Sequence, residues 1–286
     1  MPILALMLNA TIWGLSWWPF RQFEGAGMHP LWTTVILYVL SLVVVLASQR
    51  GAMAEWLRSP GLWVVTLAAG ITNTAFNWGV STGDVVRVVL LFYLMPLWAV
   101  LLARLVLGEP LTTSAGLRIA LALGGALAVL APSEGGWPVP SSLPDVLGLL
   151  GGMTFAFNNV MLRREAARSS GARALAMFAG GVLVAGLSAT AMAGQGLAPW
   201  PSLPGAAWLL PLAGMALLFF VSNLSLQYGA ARLPANVTAV VMLTEVPVAA
   251  VSALLLGGGT LDGKTAAGGA AILAAAMLAA LERRRA

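Results

Sequence analysis

Ten stretches of the chain are apolar over lengths that approach a bilayer crossing: 3–20, 31–48, 62–80, 85–107, 115–131, 146–162, 174–193, 207–229, 236–256 and 265–281. A helix needs about 20 mostly apolar residues to cross the hydrocarbon core, with a working range of roughly 17–25. Glycine and proline punctuate the joints, as in Gly25-Ala-Gly27-Met-His-Pro30, Ser59-Pro60-Gly61 and Pro199-Trp-Pro201. The longest polar stretch, Pro132 to Pro144, falls near the middle. The pattern predicts an all-α integral membrane protein with ten transmembrane helices. A first five-helix unit covers 1–131, a linker 132–144, and a second five-helix unit 145–286.

The polar positions inside these stretches repeat. Asn73-Thr-Ala-Phe-Asn77-Trp78-Gly79 returns in the second half as Asn223-Leu-Ser-Leu-Gln227-Tyr228-Gly229. Downstream, Tyr93-Leu-Met-Pro96 is matched by Leu243-Thr-Glu245-Val-Pro247, so each half carries a proline deep in an apolar run. With five spans per half, the second copy enters the membrane upside down relative to the first, which makes the repeat an inverted one. Transporters build a single site at the interface between halves of this kind.

Composition sharpens the picture. The chain is 59% hydrophobic and 9% charged, with mean hydropathy +0.90. An average soluble domain is about 25% charged, so a soluble fold is excluded. A pI near 10.7 and a net charge of +5 would suit nucleic acid only if the basic residues shared a face. Here they sit at the ends of apolar runs. With the N-terminus inside, the inner ends and loops hold Arg50, Arg58, Arg104, Arg118, Arg163, Arg164, Arg168, Arg173, Arg232, Arg283, Arg284 and Arg285, against Arg21, Arg87 and Lys264 outside. Short cytoplasmic loops retain Lys and Arg, so both termini are expected in the cytoplasm. The start reads as a first span and not as a removable signal peptide. The bias toward Ala, Leu, Gly and Arg suggests a high-GC bacterium and hence its inner membrane.

Chemistry is limited by what the chain carries. It has no cysteine and one histidine, with no His-Glu-x-x-His pair and no glycine-rich phosphate loop. No enzyme activity, cofactor or metal is expected. The expected partners are a small-molecule substrate and the lipid bilayer, with no nucleic acid, and the protein is expected to act as a monomer, with a dimer left open.

Candidate site residues follow from helical spacing. Asn73 and Asn77 share one face of the third span, and Asn223 and Gln227 share one face of the eighth. Asn9, Trp13 and Trp17 line a face of the first span, and Asn158 sits in the middle of the sixth. Such amides serve either as interhelical glue or as the lining of a solvated cavity. An amide both donates and accepts, so a cavity of this kind suits a zwitterion. Trp13, Trp17, Trp78, Tyr93 and Tyr228 offer ring faces or core packing. Glu245 is the acid nearest mid-span, a candidate to bind an ammonium group, to carry a proton, or to bond backbone freed by Pro247. Pro96 and Pro247 are candidate hinges. Asp84 and Arg87 read as a helix cap and an interfacial pair, and His29 as a loop residue.

The residues resemble those of the drug/metabolite transporter superfamily in its ten-helix form built from two EamA-type repeats. The likeness is carried by Trp13-Gly14, by the run from Tyr93-Leu-Met-Pro96 to Leu107-Gly108-Glu109-Pro110, by Phe155-Ala156 followed by Arg163-Arg164, and by Thr244-Glu245-Val-Pro247. The chain departs from that pattern at Gly257-Gly-Gly-Thr260, where the family often has Gly-Glu. The resemblance implies export of amino acids, other metabolites or drugs. Tyr93-Leu-Met-Pro96 is similar to the Tyr-Leu-Trp-Pro of amino-acid exporters of the YddG type. Two functions stay open: export of small zwitterionic metabolites, including aromatic and apolar amino acids, by alternating access, and export of lipophilic cations, proton-coupled through Glu245.

Overall fold

The computed structural model describes residues 1–49, 51–102, 104–105, 113–132, 137–201, 205–230, 232 and 241–282. Thirteen helices lie among them: α1 (Pro2–Leu15), α2 (Trp17–Gly25), α3 (Pro30–Ser48), α4 (Ala52–Arg58), α5 (Pro60–Thr82), α6 (Val85–Phe92), α7 (Met95–Leu102), α8 (Thr113–Leu130), α9 (Leu143–Arg164), α10 (Ser170–Gly194), α11 (Ala206–Ala230), α12 (Glu245–Leu255) and α13 (Gly263–Glu282). No strand occurs among the described residues. The short α4 belongs to none of the apolar stretches.

Among the described residues, five helical segments are long and apolar enough to cross a membrane: Pro2–Gly25, Pro30–Ser48, Leu143–Leu162, Ser170–Gly194 and Ala207–Leu226. Helix α5 has the length, at 23 residues, but Thr66, Thr72, Asn73, Thr74 and Asn77 lower its hydropathy. Large apolar side chains point outward along these helices, among them Leu187 at 71% exposure, Leu210 at 80% and Leu217 at 62%. Such a surface belongs against lipid, and helices that satisfy their own backbone are what lipid admits. The protein is a multi-pass membrane protein.

Among the described residues, three of the apolar stretches are interrupted, each just ahead of a proline. Pro19 has no amide hydrogen for the Leu15 carbonyl, and α1 gives way to α2 at Ser16, whose amide turns back to the Trp13 carbonyl at 3.1 Å. The fourth stretch breaks at Tyr93 and Leu94, before Pro96, and the ninth turns at Leu243 and Thr244, before Pro247. The matched positions of the last two breaks follow from the matched prolines.

The helices pack with alternating directions. Gly79 lies against Leu147, and the Thr72 and Thr154 hydroxyls are 2.9 Å apart, so α5 and α9 run antiparallel. Helix α3 is antiparallel to α10, with Gln49 beside Gly171 and Val35 beside Gly186. Helix α1 is antiparallel to α11 through Leu6 with Gly229 and Trp13 with Phe219. At the α8–α13 crossing, a Cβ on Gly125 would stand 2.6 Å from the Gly268 carbonyl oxygen, and a Cβ on Gly268 the same distance from that of Gly125. Small residues let backbones meet this closely where no apolar driving force separates lipid from helix.

These contacts come in exchanged pairs between the halves. Helix α1 packs on α11 and α12, as α9 packs on α5 and α6, while α3 meets α10 and α8 meets α13 across the middle. Helix α1 runs from the end that holds Gly229 toward the end that holds Gly258, and α9 runs the opposite way, from Gly83 toward Gly61. Arg21, Gly83, Asp84, Arg87, Asp145 and Lys264 gather at one end of the bundle, and Gln49, Glu55, Gly61, Glu165 and Ser169 at the other.

Candidate functional site

Asn9 is fully buried on α1. Its Nδ2 donates to the Ser222 carbonyl at 2.9 Å and to the Ser222 hydroxyl at 2.6 Å on α11. A carbonyl only accepts, so the amide nitrogen must face it, and Asn9 Oδ1 is the atom left buried without a partner among the described residues. Asn77 repeats this on α5. Its Nδ2 donates at 3.2 Å to the Thr34 hydroxyl, whose own hydrogen goes to the Pro30 carbonyl, and Asn77 Oδ1 is unpartnered. Asn158 Oδ1 on α9 is likewise buried and unpartnered. Asn73 is satisfied at both ends: Nδ2 donates to the Ala69 carbonyl and Oδ1 accepts from the Tyr38 hydroxyl at 2.5 Å.

The amides therefore do hold helices together, and they do not all share one depth. In the register set by Thr72 with Thr154 and Gly79 with Leu147, Asn77 stands opposite Leu149 and Asn158 opposite Ala68. At 1.5 Å per residue the two are separated by about 13 Å along the axis. Asn223 is half-buried and lines a cleft of about 110 Å³ with Ser48, Gln49, Ser170, Phe178 and Phe220, between α3, α10 and α11. Tyr228 is exposed at 41%, with the Arg232 guanidinium 4.0 Å over its ring. The side chains of Gln227 and Pro96 lie outside the described residues, as does Glu109.

What the fold does bring together is aromatic. The Trp13 ring meets Phe219 edge-on at 4.7 Å and Phe76 at 6.0 Å; Phe76 meets Phe92 at 4.8 Å, and Phe92 meets Phe155 at 5.4 Å. This chain of rings crosses α11, α1, α5, α6 and α9, linking both halves. The phenylalanines were not legible as a group from the sequence, because each is an ordinary apolar residue on its own helix. Trp17 is buried and donates from Nε1 to the Ser252 hydroxyl at 3.0 Å. Trp78 packs beside the His29 ring at 5.5 Å, toward one end of the bundle.

Beside the aromatic chain lies one acid. Glu245 is 7% exposed at the start of α12, and its Oε2 accepts from the Tyr93 hydroxyl at 2.9 Å. The Tyr93 hydroxyl also stands 3.2 Å from the Met242 carbonyl. The pair joins the two proline-linked breaks, one from each half. Gly14 on α1 makes room for it, since a Cβ there would lie 2.9 Å from the Glu245 carbonyl oxygen. A carboxylate at this depth is costly unless it is paired, so the Tyr93 bond is the local reason it is tolerated.

Two polar residues at the bundle's end have clearer roles than the sequence suggested. Asp84 caps α6, accepting from the Arg87 amide at 3.0 Å. Arg87 pairs with Asp145 and not with Asp84, through a fork at 2.6 and 3.0 Å that ties α6 to α9. The pairing was hidden because 58 residues separate the partners. His29 caps α3, its Nδ1 accepting from the Leu31 amide at 3.3 Å. No group of three or more metal-ligating side chains occurs among the described residues.

A helical bundle with a buried, cross-linked acid between two broken helices defines the class as a multi-pass membrane protein with polar groups at depth. Residues 1–131 match the model of the EamA-like transporter family. A solved crystal structure of a protein 19% identical in sequence aligns over 99% of this chain and 98% of its own, with a TM-score of 0.57, which is a likeness of fold. No curated protein matches the chain.

Proposed function

We propose that the protein is an exporter of small organic metabolites, amino acids foremost, working by alternating access between two inverted five-helix repeats over 1–131 and 145–286. The observation that carries the reading is the Tyr93–Glu245 bond between the two broken helices, beside the ring chain through Trp13. The match of 1–131 to a transporter family and the exchanged helix contacts support it. The unpartnered oxygens of Asn9, Asn77 and Asn158 are acceptors that a solute's ammonium or hydroxyl can use as it passes, and the rings offer faces to an apolar side chain. The reading places the chain in a bacterial inner membrane with both termini cytoplasmic, acting as a monomer. Pro96 and Pro247 are the points where the broken helices flex.

The second reading is export of lipophilic cations with proton coupling at Glu245, and it is favoured by one fact: that acid is buried. Counterflow in proteoliposomes, with a panel of labelled amino acids and lipophilic cations, separates the two. Amino-acid exchange that survives Glu245→Gln in weakened form supports the first reading. Cation exchange that Glu245→Gln abolishes supports the second. No exchange above protein-free liposomes for any solute sinks both.

A further inference from the structure

The triple glycine that departs from the family pattern has a structural role. Gly257 is left-handed at φ +70°, Gly258 N–H bonds the Ala253 carbonyl at 2.7 Å, and this closure ends α12. The turn lays Gly258 against the Trp17 ring so closely that a Cβ would strike the ring edge. Its carbonyl then accepts from Val85 N at 3.0 Å and from Arg21 Nη2 at 3.1 Å. Arg21 stacks 5.0 Å over Trp17 and also donates to the carbonyls of Val80 and Gly83. Those oxygens belong to the last turn of α5, where intrahelical donors run out and the helix dipole favours a cation. From the other side, Asp84 Oδ2 accepts from the Thr260 amide at 2.6 Å and hydroxyl at 3.0 Å.

We propose that Arg21, Trp17, Asp84 and the Gly257–Thr260 turn are a clasp that shuts one end of the bundle and has to open for a solute to leave there. Arg21 with Gly258, Val85 with Gly258, Asp84 with Thr260 and Trp17 with Ser252 all join residues 1–131 to residues 145–286. The Asp84–Thr260 bonds are exposed and the Arg21–Gly258 bond is half-buried at the bundle's end, where water can replace them, so this part of the joint breaks and remakes cheaply compared with buried apolar packing, while the Trp17–Ser252 bond lies buried beneath it. Arg21 is a positioning residue: it acts by holding two helix ends. Lysine, with a single point charge, cannot fork to three carbonyls and stack on Trp17 at once. The consequence for export rests on the transport reading, but the test does not.

The chain has no cysteine, so one introduced thiol reports alone. Ser81 is buried on α5 just inside the clasp. In proteoliposomes, alkylation of Ser81→Cys by a membrane-impermeant maleimide is slow while the clasp holds. Arg21→Ala raises the rate about tenfold, the change that loss of about 1.4 kcal/mol of closure brings. Arg21→Lys raises it less, Asp84→Asn raises it by the other route, and a thiol at Ser170 keeps its rate. Should Arg21→Ala fail to fold, Asp84→Asn and Thr260→Val carry the comparison. Unchanged labelling of Ser81→Cys in folded clasp variants overturns the proposal. Accelerated labelling without counterflow of any solute supports the clasp and sinks the transport reading, whereas counterflow with unchanged labelling sinks the clasp alone.

Discussion

An asparagine amide has two donors and one acceptor oxygen, and in Asn9 and Asn77 the donors are the half that the protein binds. Spacing along a helix shows that such a residue is present at depth; only its neighbour's chemistry shows which atom is spent. The same holds for charge. Burial holds the His29 imidazole below its ordinary 6.5. The folded chain then resists a proton that the unfolded chain accepts, so the contribution of neutral His29 is full above about pH 6.5 and is lost as pH falls through the lower folded value. Thermal unfolding in detergent should therefore soften between pH 7 and 5, and His29→Asn, which keeps a capping acceptor without titrating, should reduce that slope. Arg87 and Asp145 make a second residue-scale prediction. Asp145 is buried, at 3% side-chain exposure, and without Arg87 it keeps the Ser141 amide and hydroxyl but no cation, so Arg87→Met costs about 2 kcal/mol, while adding Asp145→Asn recovers part of the loss in a double-mutant unfolding series.

At the scale of elements, proline explains where helices stop and glycine explains how near they come. The breaks before Pro96 and Pro247 were legible because proline removes a donor wherever it stands. The break at Ser16, before Pro19, was not separated from its apolar stretch, since hydropathy continues through it. Adjacent glycines on α8 test the packing account. Gly124 faces open space, while Gly125 meets the Gly268 carbonyl and Ile272. Gly124→Ala should leave stability unchanged or raise it by up to about 1 kcal/mol through helix propensity. Gly125→Ala should lower it by about 1–3 kcal/mol by forcing α8 from α13. Equal unfolding temperatures for the two variants would remove the close crossing as the cause.

For the whole molecule, the arrangement of ends makes a direct prediction about topology. Lys264 and Ser170 lie at opposite ends of the bundle. Single thiols at those positions should be labelled from opposite membrane faces, with Ser170→Cys on the side of a C-terminal tag. Labelling of both from one side would rule out the membrane placement proposed above.

What the sequence determined by itself is what depends on composition and near neighbours. Apolar length set the class and most of the helices, and the doubled Pro motifs marked two of the breaks. The tertiary structure decided everything that needs two distant segments to meet: Glu245 with Tyr93, Arg87 with Asp145, the ring chain through Trp13, and the seating of the Gly257–Thr260 turn on Trp17 and Asp84. The physical reason is that hydrophobic periodicity is a property of one helix, whereas hydrogen bonds and edge-to-face rings are short-ranged and specific to the pair, so their partners exist only once the helices have packed.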